Sequence, residues 1–302
     1  MIPSAGATGL SWNVADDVRQ LFAQHFMVNA LAAGTIVAIL AGSVGWFMVL
    51  RRQSFAGHTL AVISFPGAAG ATLLGVSATA GYFAASIAGA LVIAAVPGTG
   101  RGRGYTNQSA VIGTAQAFAL ACGVLFVSLY GGFLDSLNGY LFGTFLGVSD
   151  RQVLTLLAVA VVVLATLALV GRMLLFATVD TDVAATRGVP TRLLSIVFLV
   201  LLGCAAAEVS QITGALLVFA LLVMPAATAQ QLTARPAVSL GLSVVLALVI
   251  VWLGLGVAYF SVYPVGFYVT IFGFAGYVLA ASGRALITWA GTRRRATPAV
   301  TR

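Results

Sequence analysis

Few ionisable side chains lie within the apolar stretches of this 302-residue chain, and these are the first candidates for chemistry. His58 falls about one helical turn into the apolar stretch 56–75. Two interpretations stay open for it, a hydrogen-bonded structural histidine and a ligand for zinc or a neighbouring metal. Pro66 and Gly67 follow two turns later, and we expect them to open the backbone of the same helix.

Glu208 and Gln211 are the second pair of candidates, in the sequence AEVSQITG at 207–214. Their polarity places them in a turn between two apolar segments, at 193–207 and 212–231. At such a turn they form either a solvated loop or a functional contact. Cys122 and Cys204 lie far apart in apolar stretches, which is typical of small packing residues.

Several kinds of catalysis are excluded by what the sequence lacks. The chain contains no lysine, and a P-loop needs one to reach the phosphates of a nucleotide. Neither His25 nor His58 stands in an HExxH motif or near a GxSxG-like serine, which argues against hydrolysis of peptide or acyl bonds. We therefore expect no enzymatic activity and no intrinsic cofactor.

The composition predicts an all-α polytopic integral membrane protein. The chain is 61% hydrophobic and 7% charged, with a mean hydropathy of +1.07, and a helical span needs roughly 20 apolar residues. Nine apolar segments predict eight to nine spans. We divide the chain into an extracellular or interfacial segment at 1–27, a transmembrane domain at 28–287 and a basic cytoplasmic tail at 288–302. The segments are 28–50, 56–75, 79–97, 108–130, 152–176, 193–207, 212–231, 237–260 and 264–287.

The basic residues predict the orientation. With the N-terminus outside and the C-terminus in the cytoplasm, thirteen of the fifteen arginines fall on the cytoplasmic side and two, Arg19 and Arg151, fall outside. The net charge of +8 is thus a topology signal in the plasma membrane, and we expect no nucleic acid partner. In this orientation Glu208 and Gln211 lie outside, as an extracellular gate or a contact for a substrate-delivering protein.

Two stretches depart from plain spans. Residues 131–150 carry Gly139, Gly143 and Gly147 at a four-residue spacing and are too short to cross twice, which predicts a half-helix or a re-entrant piece packed through its glycines. Residues 178–192 form a charged cytoplasmic connection. We expect a short helix there, capped by Asp180 or Asp182 and ended by Gly188 and Pro190.

Three stretches resemble the zinc/manganese-type metal ABC transporter permease family over about residues 25–287. They are VLRRQSFAGHTLAVISFPGAAGATLLG at 49–75, LFGTFLGVSD at 141–150, and QITGALLVFALLVMPAATAQQLT at 211–233, which is followed by YPVGFYV at 263–269. The third is the most specific, and Gly214 and Pro225 belong to its pattern.

The resemblance implies a type II ABC importer permease architecture. It implies a homodimer with the pathway near its axis, two ABC ATPase subunits on the cytoplasmic face and an extracellular metal-binding protein. The cargo would be a divalent metal, zinc or manganese, with iron as a further candidate. Asp182, Arg187, Gly188 and Pro190 are similar to the coupling helix that docks into the ATPase.

The chain departs from the family at one point. Many members carry an acidic residue and a histidine four apart, as in GDALSH, whereas here His58 stands at the acidic position and Val62 at the histidine position. Each chain thus keeps one of the two expected metal ligands, and two copies of His58 in a dimer would supply two nitrogens. Two alternatives stay open, a related permease for iron–siderophore or cobalamin-like chelates and a gradient-driven carrier. The single acid at membrane depth argues against the carrier.

Overall fold

The helices of the chain account for nearly all of its described residues. The computed structural model describes residues 19, 21–95, 103–129, 143, 147–215 and 217–295, and no strand occurs among them. The helices are α1 (His25–Leu50), α2 (Ser54–Leu73), α3 (Ala78–Ala95), α4 (Arg103–Leu129), α5 (Asp150–Val179), α6 (Thr181–Thr186), α7 (Thr191–Thr213), α8 (Val218–Leu232), α9 (Pro236–Tyr259) and α10 (Val265–Arg295).

The all-α membrane class is confirmed, but fewer helices than predicted are long and apolar enough to span a membrane on their own. Seven such helices occur in the described part of the chain, against the predicted eight to nine. Eight of the nine predicted apolar segments each overlap one helix, whereas 212–231 covers the end of α7 and most of α8. However, α8 has only 15 residues, which is too short for a span, and α2 carries five hydroxyl or imidazole side chains that lower its hydropathy.

The predicted break between the sixth and seventh segments is wrong. Helix α7 continues through residues 207–211 and ends at Thr213, and the chain turns at Gly214 with a φ of 77°. Glycine adopts a positive φ readily, so the helix ends at Gly214. Glu208 and Gln211 have polar side chains but do not interrupt the helical backbone. Residues 205–215 are all buried, so this turn lies inside the protein and not in a solvated loop.

Two other predicted segments fall largely outside the described residues. Most of the segment 1–27 and most of the half-helix at 131–150 lie there. Helix α1 begins at His25, and α5 begins at Asp150, where Ser149 Oγ accepts from the Gln152 amide at 3.3 Å. At the other end of the chain, α10 is continuous through Arg295, beyond the predicted domain boundary at 287.

Helices α1 and α7 form the centre of the bundle, since each buries 67% of its most apolar 18-residue window, whereas α3, α4, α5, α9 and α10 bury between 17% and 33% of theirs. Helices α1 and α5 run parallel, and polar contacts fix both ends. At one end Asn29 Nδ2 donates to Asp150 Oδ1 at 2.6 Å. At the other, Arg51 Nη1 donates to Thr178 Oγ1 at 3.1 Å.

Glycine allows α2 and α3 to approach closely. Gly67 faces the backbone of Gly81, and a Cβ at either position would overlap the other's carbonyl oxygen. Small residues at such crossings are how membrane helices associate in lipid, where no hydrophobic driving force acts between them.

Replacing Gly67 by leucine is therefore expected to destabilise the bundle by about 1–3 kcal/mol or more through overpacking. Gly241→Leu on α9 is the matched control, because a Cβ at Gly241 meets no atom within 4 Å. Membrane abundance and thermal stability in detergent are measured for both variants. Equal stability of the two variants would contradict the close packing of α2 on α3.

Candidate functional site: a half-buried histidine and a buried helix break

His58 lies on α2 and packs edge-to-face against Phe219, the second residue of α8. The ring centroids are 5.4 Å apart with an interplanar angle of 78°. His58 is half-buried, and its Nδ1 atom is buried without a hydrogen-bond partner among the described residues. A buried ring nitrogen without a partner calls for an explanation, and a transported ion is one.

The packing of α2 on α7 sets the depth of His58. The neighbouring Gly57 faces the Leu202 side chain on α7. Leu202 lies 11 residues after Thr191, the first residue of α7. At a rise of 1.5 Å per residue this is about 16 Å along α7 from its first residue. His58 itself is the fifth residue of α2, about 6 Å along the axis from its start. Gly57 also faces the sulfur of Met48 in the last turn of α1, so His58 lies toward the end of the bundle at which α1 ends.

One chain does not supply a complete metal site around His58. Val62, one turn further along α2, is 4% exposed and belongs to the apolar core. In the described part of the chain, no three histidine, cysteine, aspartate or glutamate residues cluster closely enough to hold a metal ion. Any metal at His58 thus needs ligands from backbone carbonyls, from water or from a second chain.

Pro66 and Pro225, which the sequence predicts as helix breaks, both lie inside continuous helices. Pro66 is buried within α2 and leaves the Val62 carbonyl without its helical donor. Pro225 is buried within α8 and does the same for Leu221. Neither proline ends its helix.

The turn at Gly214 brings the start of α8 inside the protein. Val218 is fully buried, and Leu217, the residue before it, provides no side-chain cap. Gly143, with a φ of 79°, packs against the backbone of residues 212–214, whereas Gly147 is exposed. Irregular backbone at membrane depth is tolerated where protein buries it or where it lines a cavity.

Glu208 and Gln211 lie on α7 below this turn. Glu208 is fully buried and Gln211 is 7% exposed. The expectation of an extracellular contact for a delivery protein does not fit side chains that the chain itself encloses. The predicted turn at these residues is wrong because a polar pair in an apolar stretch resembles the end of a helix in the sequence, whereas here both residues lie within α7.

The predicted coupling segment is a short helix at an open surface. Asp180 caps α6, since its Oδ1 accepts from the Val183 amide at 2.9 Å. Gly188, with a φ of 78°, ends the turn after α6, and Pro190 precedes α7. Asp182, Arg187, Gly188 and Pro190 are all exposed. An open groove of about 590 Å³ lies beside α6, lined by Ala185, Gly188, Val189, Pro190, Thr191, Arg192, Leu193 and Ile196.

Arg51 anchors this segment, a role that the sequence did not indicate. Besides its bond to Thr178, its Nη2 donates to Ser195 Oγ at 2.9 Å, and its guanidinium lies 5.3 Å from the centre of the Phe198 ring. It thus joins the end of α1 to the end of α5 and the start of α7. From the sequence it was only one of many cytoplasmic arginines.

Replacing Arg51 by lysine is expected to destabilise the protein by about 1.5 kcal/mol or more, because an ammonium group cannot donate to both hydroxyls in the geometry of a guanidinium fork. The melting temperature in detergent measures the effect. Arg52→Lys is the matched control, since Arg52 is exposed. Equal melting temperatures for the two variants would remove the anchoring role.

The family relationship follows from comparison with known proteins. Residues 23–283 match the ABC 3 transport family. The manganese transport system membrane protein MntC of Halalkalibacterium halodurans is 30% identical over 243 residues, which are 80% of this chain and 81% of that protein. The chelated iron transport system membrane protein YfeC of Yersinia pestis is 32% identical over 216 residues, 72% of each chain.

A solved structure agrees with this relationship. PsaBC from Streptococcus pneumoniae in complex with Fab matches with a TM-score of 0.79 and 26% identity, over 88% of this chain and 95% of that one. The resemblance predicted from three stretches of sequence is thus confirmed, as is the expected architecture. The chain belongs to the ABC 3 transport family and is the multi-pass membrane permease subunit of an ABC transporter for metal.

Proposed function

We propose that two copies of this chain form the pathway of an ATP-driven importer for a divalent metal ion, with manganese as the first candidate and zinc as the second. The half-buried His58, with its partnerless Nδ1, is the observation that carries the proposal. Imidazole is a ligand for manganese, zinc and iron alike, so the residue itself does not select among them.

A homodimer resolves the scarcity of ligands in one chain. In a two-fold arrangement the same residue of each subunit faces the axis, so two His58 rings supply two nitrogens to one ion. Backbone carbonyls that Pro66 and Pro225 leave without donors add oxygen ligands of the kind that manganese accepts.

ATP hydrolysis belongs to two separate ATPase subunits at the cytoplasmic face. The exposed helix α6, the groove beside it and the anchor at Arg51 support docking at this point. Asp182, Arg187, Gly188 and Pro190 are the residues that we assign to the contact. An extracellular metal-binding protein delivers the ion at the opposite face.

The orientation in the plasma membrane places the N-terminus outside and the C-terminus in the cytoplasm. The parallel course of α1 and α5 supports it, because both then begin at the outer surface and end beside Arg51 and Thr178 at the inner one. Cytoplasmic enrichment of arginine is the expected pattern for this arrangement.

Metal uptake by the complex, reconstituted in vesicles with its ATPase and binding protein, tests the choice of cargo. Manganese, zinc and ferrous iron are supplied in turn with ATP. We expect manganese to accumulate, with zinc as the closest competitor. Accumulation of none of these ions would overturn the proposal of a bare divalent cargo.

Transport of chelated iron is the alternative function, favoured by the 32% identity to YfeC, whose name specifies that cargo. A chelate is larger than an ion and needs a wider path. The same vesicles supplied with an iron–siderophore complex distinguish the two cargoes, since only the alternative function predicts uptake of the intact chelate.

A further inference from the structure

Glu208 is a buried carboxylate that the fold leaves without a partner. The residue has no exposed surface, and neither Oε1 nor Oε2 has a hydrogen-bond partner among the described residues. Native proteins rarely bury a carboxylate in this way, because transfer from water without compensation costs several kcal/mol. The group therefore requires a companion, either a cation or a proton.

The neighbours on the same face of α7 are potential ligands. Cys204 lies four residues before Glu208 and Gln211 three residues after it, so all three share one side of the helix. The Gln211 Nε2 donates to the Ala207 carbonyl at 3.4 Å, which leaves its amide oxygen as the acceptor on this face. A carboxylate and an amide oxygen are hard ligands of the kind that suit manganese.

This face of α7 changes from open to covered along the helix. Leu193 near its start is exposed, Val197, Val200 and Cys204 are half-buried, and Glu208 is fully buried. These positions recur every three or four residues and form one stripe. The carboxylate thus lies one turn beyond the last partly exposed side chain of the stripe.

We propose that the Glu208 carboxylate and the Gln211 amide oxygen form a second binding site for the divalent cation on the transport route, with the Cys204 thiol beside it. The inference rests on the proposed function. Glu208 lies six residues after Leu202, the level of His58, which places it about 9 Å closer to the outer surface. An ion entering from outside meets Glu208 first and His58 second.

Protection of Cys204 from alkylation by maleimide tests the inference without measuring transport. The assay uses the assembled complex in a Cys122→Ser background, so that Cys204 is the one cysteine of this chain. With manganese at ten times its dissociation constant, we expect alkylation to slow by about tenfold, because only the unoccupied site reacts. Glu208→Gln is expected to abolish the protection, and Glu208→Asp to retain part of it.

Ser210→Ala is the matched control. Ser210 is also buried without a hydrogen-bond partner among the described residues, but it stands two positions from Glu208 and points to another side of the helix. We expect this variant to keep full protection. An unchanged alkylation rate without manganese shows that Glu208→Gln folds as the parent does.

Two results would overturn the inference. Protection that persists in Glu208→Gln places the ion elsewhere, and no protection in the parent leaves Glu208 as a protonated structural group. ATP-dependent manganese uptake by the Cys122→Ser complex shows whether the proposed function also fails when the proposed second site does. If uptake persists while protection fails, only the second site is lost, and if both fail, both proposals fall.

Discussion

Replacing His58 by alanine is expected to lower ATP-dependent manganese uptake by about tenfold or more, which corresponds to about 1.4 kcal/mol of lost stabilisation of the ion. The imidazole is the one titratable side chain of α2, and two copies would be lost in a dimer. Membrane abundance is expected to stay close to that of the parent, because the His58 side chain is half-buried and not part of the fully buried core. Uptake of radioactive manganese into vesicles measures the effect.

His58→Asp and His58→Asn distinguish a ligand from a structural histidine. An aspartate at this position restores an anionic oxygen ligand, so uptake is expected to be partly retained. An asparagine offers hydrogen bonds without a charge and is expected to transport poorly. If His58→Asn transported as well as the parent and His58→Asp reduced membrane abundance, the residue would be structural.

Replacing Gly188 by valine is expected to abolish uptake while leaving the protein inserted in the membrane. The φ of 78° at Gly188 lies in the left-handed region, which costs a β-branched residue about 1–2 kcal/mol. No atom lies within 4 Å of a Cβ at this position, so the effect acts through the backbone and not through a clash. The change redirects residues 189–190 and with them the groove beside α6. We expect ATP hydrolysis that no longer drives transport.

Two controls isolate the backbone effect at Gly188. Gly188→Asn is expected to transport nearly as the parent, because asparagine adopts the left-handed conformation more readily than other residues. Gly241→Val adds the same side chain at another open glycine with an ordinary φ and is expected to have no effect. Normal uptake by Gly188→Val would remove the coupling role from this segment.

Much of the fold is predictable from the sequence because the bilayer imposes a strong constraint. A helix that crosses it needs a long apolar run, so runs such as 152–176 and 237–260 mark α5 and α9 well. The break before α8 is harder to predict. Glu208 and Gln211 look like a turn, yet the helix ends at Gly214, where a positive φ is needed. Tertiary packing decides which polar side chains a helix buries.

The candidate site is less predictable than the fold. His58 stands out in the sequence as an ionisable group in an apolar stretch, but its contact with Phe219 joins residues of distant helices. The role of Arg51 depends on Thr178 and Ser195, two hydroxyls that no spacing in the sequence connects to it. Pairwise contacts of this kind arise from the crossing of α1, α5 and α7, which the apolar pattern of each helix alone does not specify.

The dependence of manganese accumulation on ATP tests the central claim most directly. The complex is reconstituted in vesicles with its ATPase and binding protein, and manganese accumulation is followed with ATP, without ATP, and with ATP plus ionophores that collapse the proton and sodium gradients. Accumulation that requires ATP and persists with the ionophores is the predicted result. Accumulation without ATP that the ionophores abolish would contradict the account and identify a gradient-driven carrier.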